Sequence, residues 1–318
     1  MSVLVFVEVD NKSVKKSSLE AVSYARSIED DVAAIVFGDL DKEELGKVGK
    51  AGGKRVLSVT DEKLAIPNIM AYSSAIADVM VKQGFNMLVL SKSSLGDPIS
   101  ARVAIKTKAT LVSNVTSPLS SPSEEEVLSS IYTGKAVAKV KMEGERRIIS
   151  IKKNAIAIRE DGEEPQIEEF LPTINEDDFK VKITKTEKAT GEVLLPEADI
   201  VVSGGRGLKG PENWKMIEEL AQVLGAATAC SKPVSDMEWR PHHEHVGQTG
   251  IKVSPSLYIA IGISGAIQHL AGVNSSKFIL VINKDPEAPF FKSADYGVVG
   301  DAFEVVPKLT EMIKAKRG

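Results

Sequence analysis

The chain opens on an unbroken apolar run, "VLVFVEV" at 3–9, and two more follow at "DVAAIVFG", 31–38, and "FNMLVLS", 85–91. Aliphatic and β-branched runs of this length, without polar alternation, are the pattern of strands buried on both faces of a parallel sheet. Between them the apolar positions space out at three and four residues. "KKSSLEAVSYARSI", 15–28, and "NIMAYSSAIADVMVKQG", 68–84, therefore read as helices, the second closed by Gly84. "DPISARVAIKTKA", 97–109, reads as a third, with Asp97 as its cap and Pro98 in its first turn. Strand and helix alternate, which implies βαβ units.

The rhythm changes near 110. "VLSSIYTGKAVAKVKMEGERRIISIKKNAIAI", 127–158, has short β runs broken by the turn signals "YTGK" and "MEGE". Antiparallel strands appended to the parallel sheet are the expectation. The acidic stretch "REDGEEPQIEEF", 159–170, and "NEDD", 175–178, read as solvated surface. Residues 159–178, with "TKTEKATGEVLLPE" at 184–197, look like a poorly packed connection across which the two halves move. A second βαβ series then starts. "ADIVVS", "AATACS", "SLYIAIG" and "KFILVI" read as strands, and "PENWKMIEELAQVLG" and "DAFEVVPKLTEMIKA" as helices. The fold class is α/β with two domains, 1–190 and 191–318, each a mostly parallel sheet with flanking helices.

Composition adds mainly exclusions. The length of 318 residues suits two domains, and the net charge of −4 with 5% aromatics argues against a nucleic-acid binder. The single cysteine, Cys230, allows no internal disulfide and fits a reducing compartment. No run approaches the roughly 20 apolar residues of a membrane span. A cytoplasmic protein is the expectation.

The candidate chemistry gathers in the C-terminal third. Gly205, Gly207 and Gly210 spell GxGxxG between a strand and a helix, with Arg206 inside the loop. The acidic residue that completes a dinucleotide site about 20 residues on is missing, because that region reads "ACSKP". "HVGQTG", 245–250, offers carbonyl, amide and hydroxyl groups, or simply a polar turn. "GISGAIQHLAG", 262–272, ends a strand in small residues and starts a helix. Ser264 there is either a cap or part of an anion site at the helix N-terminus, and the segment lacks the GxSxG elbow of a hydrolase. Asn283 stands at a strand end, and Asp301 either caps the last helix or takes a ribose hydroxyl. "PHHEHV" has no zinc-ligand spacing.

These segments lie at strand C-termini or adjoining turns, where one elongated nucleotide could bridge them. "VVSGGRGLKGPENW", "VGQTG", "LYIAIGISGAIQHLAGV" and "INKDPEAPFFKSADYGVVGD" resemble the FAD domain of the electron transfer flavoprotein alpha subunit, from about 199 to 315. The resemblance implies a Rossmann-like, DHS-like FAD-binding domain at 191–318 and a subunit interface on 1–190. It implies FAD contacts from Arg206, from Ser231 and Lys232, and from Val246, Gly247, Gln248 and Thr249, whose threonine hydroxyl reaches flavin N5. It implies that Ser264, Gly265, Ala266, Ile267, Gln268 and His269 hold the pyrophosphate, with His269 at the flavin O2 edge. Asn283 and Asp301 fall on the adenosine side. Similar proteins carry arginine where this chain has Lys232, so the planar guanidinium fork is lost while the charge is kept.

The resemblance further implies an electron carrier with no catalytic residue and no metal. It would be a heterodimer with a beta subunit that binds AMP in most members. Its donors would be acyl-CoA or other dehydrogenases and its acceptor a quinone oxidoreductase; eukaryotic relatives sit in the mitochondrial matrix. A stand-alone flavin oxidoreductase and a non-enzymatic nucleotide-binding regulatory subunit are the alternatives.

Overall fold

In the computed structural model the residues described are 2–119, 125–134, 136–184, 195–196 and 198–317. The chain forms two compact units, Met1–Lys185 and Thr186–Gly318. Most of the segment 184–197, expected to be a loose connection, lies outside the described residues.

The N-terminal unit begins with β1 (Val3–Val7), a short hairpin of β2 (Val9–Asp10) and β3 (Ser13–Val14), and α1 (Lys16–Ile28). It continues through β4 (Val32–Phe37), α2 (Lys42–Lys50), β5 (Arg55–Val59), α3 (Ile69–Lys82), β6 (Met87–Ser91) and α4 (Gly96–Thr107). β7 (Thr110–Val115), β8 (Glu126–Ile131), β9 (Ala136–Lys141), β10 (Arg147–Ile151) and β11 (Gln166–Glu169) complete it. One sheet runs in the order β11-β5-β4-β1-β6-β10-β7-β8-β9. Its central strands are buried on both faces, as their continuous apolar runs require. Val3, Val5 and Val7 pack toward α1, while Leu4 and Phe6 pack toward α3 and α4.

Three expectations are corrected here. The hairpin β8–β9 is antiparallel, but β10 is not: it inserts between β6 and β7 and runs parallel to both. Asp97 is not the cap of α4. The helix starts a residue earlier, the Gly96 N–H donates to Ser93 Oγ at 2.7 Å, and Asp97 pairs with Lys92 at 2.7 Å. The acidic stretch is not loose either. β11 adds to β5, Gly162 N–H donates to the Lys50 carbonyl at 2.9 Å, and a side chain at Gly162 would meet the Gly49 carbonyl at 2.0 Å. Backbone pairing holds a segment whose side chains are mostly exposed and charged, which hydropathy cannot reveal.

The C-terminal unit contains β12 (Ile200–Gly204), α5 (Lys215–Leu224), β13 (Ala227–Cys230) and α6 (Lys232–Asp236), then β14 (Leu257–Ile261) and α7 (Ile267–Val273). β15 (Phe278–Asn283), β16 (Tyr296–Val299) and α8 (Ala302–Arg317) close it. All five strands are parallel, in the order β13-β12-β14-β15-β16. α5 follows a single 3₁₀ turn that Pro211 opens, and it ends at Gly225 with φ +65°. That left-handed cap is conformationally cheap only for glycine. Val202, Ile259 and Ile261 bury one face of the sheet with α5 and α8. Val201, Tyr258 and Ala260 bury the other with Phe290 and Val273.

Candidate functional site

The chain leaves β12 through α5 to β13 on one side, then crosses back to β14 on the other. The strand order therefore reverses between β12 and β14, and open α/β sheets bind ligands at the carboxyl ends of strands beside such a reversal. Register sets the height of that edge. Gly204 faces Cys230 and Ile261, and Ile261 faces Ile282, so three strands end flush and β15 runs one residue further. The loops that begin at 205, 231, 262 and 284 emerge side by side.

The loops are tied to one another through backbone. Gly207 N–H donates to the Gly262 carbonyl at 3.0 Å, Val246 N–H to the Cys230 carbonyl at 3.0 Å, and Gln248 N–H to the Gln268 carbonyl at 2.7 Å. A side chain at Gly207 would stand 2.8 Å from Gly262 Cα. These glycines let one loop touch another. At Gly265 (φ +84°) a Cβ would meet Phe290 at 2.4 Å, so this residue is required by packing.

Between the loops lies a cavity of about 740 Å³. Arg206, Ser231 and Lys232 line one part, and Val246, Gly247, Gln248 and Thr249 another. Ser264, Ala266, Gln268, His269 and Asn283 complete the set that sequence reasoning had named. Gly265, Ile267 and Asp301 do not line it. Asp301 accepts from Phe303 N–H at 2.9 Å at the start of α8, as a helix cap does. Ser264 does not cap α7; Ala266 occupies that position, and the Ser264 carbonyl accepts from Phe290 N–H at 3.1 Å. The Asn283 amide bonds within its own surroundings, donating to the Ile263 carbonyl and accepting from Asp285 N–H, both at 3.1 Å.

Sequence reasoning had not named Asp236, His245 and Lys284 as cavity residues. Lys232 Nζ lies 2.8 Å from Asp236 Oδ1. Their spacing of four along α6 was the readable signal. His245 had been weighed only as a metal ligand, and no metal-binding cluster of His, Cys, Asp and Glu occurs among the described residues. It is buried, and its Nδ1 has no hydrogen-bond partner among the described residues. The turn before it is anchored by Arg240, which bonds Glu244 Oε2 and Glu218 Oε1, each at 2.9 Å, and covers the Trp214 ring.

Two buried groups show the local electrostatics. Burial pushes His269 down to about 4, so it is neutral at pH 7; nearby His245 acts in the same sense, and the Val246 carbonyl opposes it. Burial also pushes the Cys230 thiol up to about 12, with Glu244 adding to the shift. A thiol so held is an inert core group. The cavity thus combines three cationic side chains, Arg206, Lys232 and Lys284, with apolar wall from Val246, Ile263 and Ala288.

A parallel α/β unit with such a cavity at its switch point belongs to the class of nucleotide-type cofactor binders. Comparison with known proteins narrows this. Residues 194–274 match the family described as "Electron transfer flavoprotein FAD-binding domain", and 3–174 match "Electron transfer flavoprotein domain". The chain is 36% identical over 311 residues to the electron transfer flavoprotein subunit alpha of Syntrophomonas wolfei, covering 98% of each. It is 35% identical over 317 residues to that of Bacillus subtilis, covering 98% of this chain and 97% of the relative. A probable mitochondrial alpha subunit of Caenorhabditis elegans is 36% identical over 311 residues, covering 97% of this chain and 92% of the relative. The chain belongs to the electron transfer flavoprotein alpha-subunit family. Asn283 and Asp301 lie beyond the stretch matched to the FAD-binding domain.

Proposed function

We propose that this chain binds one FAD non-covalently in the cavity of its C-terminal unit and serves as an electron carrier. The observation that carries the reading is the convergence of residues 206, 231–232, 246–249, 264, 266, 268–269 and 283 on one cavity, in a chain of this family. The residues suit the group. Arg206 and Lys284 match an anionic pyrophosphate, with backbone N–H groups at the start of α7 beside it, and Lys232 supplies positive charge toward the ring. Val246, Ile263 and Ala288 suit a flat ring, and Gln248 and Thr249 suit its polar rim. Bound there, FAD supplies reversible one- and two-electron transfer. The protein's part is to hold the cofactor, orient it, limit water and set the charge around it.

On the same reading the chain pairs with a smaller beta subunit holding AMP, takes electrons from acyl-CoA or other dehydrogenases, and passes them to a quinone oxidoreductase. The N-terminal domain, 1–190, supplies the interface. It exposes Ile66, Ile105, Tyr132 and Leu171, apolar side chains of the kind that subunit surfaces cover. The cytoplasm, or the matrix in eukaryotes, is the proposed location; no helix among the described residues is long and apolar enough to cross a membrane. Purification of the chain with its partner is expected to give a yellow complex carrying one FAD. A colourless complex that takes up no added FAD would reject the reading. Turnover of NADH by the chain alone would favour an oxidoreductase instead.

A further inference from the structure

β14 carries one polar side chain, Tyr258, and buries it completely. A phenol in the interior is costly unless its hydroxyl is bonded. The Tyr258 hydroxyl lies 2.9 Å from His269 Nε2 on α7, and the Ser203 hydroxyl also faces it as a donor. Phe290 braces both rings, edge-on to His269 at 5.7 Å and tilted to Tyr258 at 6.5 Å. His269 lines the cavity and Tyr258 does not.

We propose that Tyr258 is a positioning residue: its hydroxyl donates to His269 Nε2 and thereby holds His269 as the Nδ1–H tautomer, in one orientation at the cavity wall. A neutral imidazole has one donor and one acceptor nitrogen, so engaging Nε2 as acceptor assigns the proton to Nδ1. Two further observations agree. Burial keeps His269 uncharged at pH 7, and the Val246 carbonyl, which can only accept, also faces the imidazole. Nδ1 is itself buried and makes no well-formed hydrogen bond among the described residues, so the Tyr258 contact at Nε2 is the one that fixes the ring. Tyr258 thus acts on a bound cofactor without touching it, as outer partners orient ligating histidines in metal sites. The inference rests on the proposed FAD site for its functional half only; the tautomer is a property of the chain itself.

The test has two arms. In the first, the FAD-free full-length chain labelled with ¹⁵N-histidine is examined by long-range ¹H–¹⁵N correlation. His269 is expected as Nδ1–H in the wild type, and as a mixture or as Nε2–H in Tyr258→Phe. An Nε2–H wild type, or an unchanged tautomer in the variant, overturns the proposal; the wild-type result alone decides should the variant not fold. In the second arm, Tyr258→Phe in the FAD-loaded complex is expected to shift the balance of oxidised and reduced cofactor about tenfold, the scale of one hydrogen bond. Added to His269→Gln, the same change should have no further effect. An equal shift with and without His269 would make Tyr258 merely structural and overturn the proposal. A wild type that takes up no FAD would instead reject the FAD reading and leave the first arm to decide this one.

Discussion

The two units solve the same topological problem in opposite ways. Each sheet reverses its strand order beside its first strand, between β1 and β6 in one unit and between β12 and β14 in the other. In the N-terminal unit the chain fills the crevice itself. Glu8, 2% exposed, follows β1, takes a hydrogen bond from the Ser93 hydroxyl and lies 3.7 Å from Lys15 Nζ. Its own N–H donates to Ser18 Oγ at 2.8 Å, and a side chain at Gly96 would meet the Ser91 carbonyl at 2.4 Å. In the C-terminal unit Arg206 occupies the matching loop, and the space beyond stays open. A switch point is therefore only a location; the side chains placed there decide whether the protein or a ligand supplies the anion.

The largest test of this contrast is Gly265→Val. It forces a branched residue to φ +84° and against Phe290 at 2.4 Å, so a loss of roughly 3 kcal/mol or more in the C-terminal unit is expected from strain and overpacking. Urea unfolding should show that destabilisation directly; cofactor loss from a variant of normal stability would return the residue to the ligand.

Acid should weaken the same unit. The folded-state value of His269, about 4, lies below the usual 6.5. Stability is therefore complete above pH 6.5 and falls as pH drops from 6.5 toward 4, where the unfolded chain gains the proton first; the loss is on the order of 3 kcal/mol. His245, also lowered by burial, adds to it with the same sign. Urea midpoints measured across this range should slope less in His269→Gln.

Glu8→Ala is expected to cost about 2 kcal/mol by leaving buried hydroxyls without their acceptor, and to leave the cofactor content of the other unit unchanged. Differential unfolding of the two units, followed with FAD content, separates the crevices. Thr249→Val should leave the melting temperature within about 2 °C, since Thr249 is exposed in the cavity, while shifting the flavin potential.

The smallest effect concerns Lys232. With Asp236 at 2.8 Å and both side chains more than half exposed, Lys232→Met should lower the flavin potential by only about 40 mV or less, one solvent-screened charge being worth ~1 kcal/mol or under. Asp236→Asn should raise it. Potentiometric titration of both variants tests the pair, and equal potentials in all three proteins would leave Lys232 without influence.

Legibility along the chain followed burial. Val3–Val7, Val32–Phe37 and Leu257–Ile261 were readable because both faces of these strands are covered. β11, "QIEE", carries no apolar signal because only its backbone is used, and β16, "YGVV", was hidden inside a segment read for its chemistry. α2 and β5, within 42–59, went unread between stronger signals. The insertion of β10 between β6 and β7 is a long-range choice with no local trace. At the site, the residues were legible and several of their reasons were not. Gly207 and Gly265 answer to neighbouring backbone and to Phe290, and His269 answers to Tyr258, contacts that exist only after folding.

The short strand β16 has a practical consequence for whoever handles this protein. Among the described residues it pairs with β15 alone, and Tyr296, Val298 and Val299 stand exposed on it, with Phe278 beside Tyr296 at 6.3 Å. An uncovered rim of this kind is a template for another chain's strand, and four residues without a charge or proline offer little to discourage it. Concentrated stocks of the isolated chain should stick to one another along this rim before anything unfolds, so a lysine at Val298 is a sensible first change for keeping it in solution.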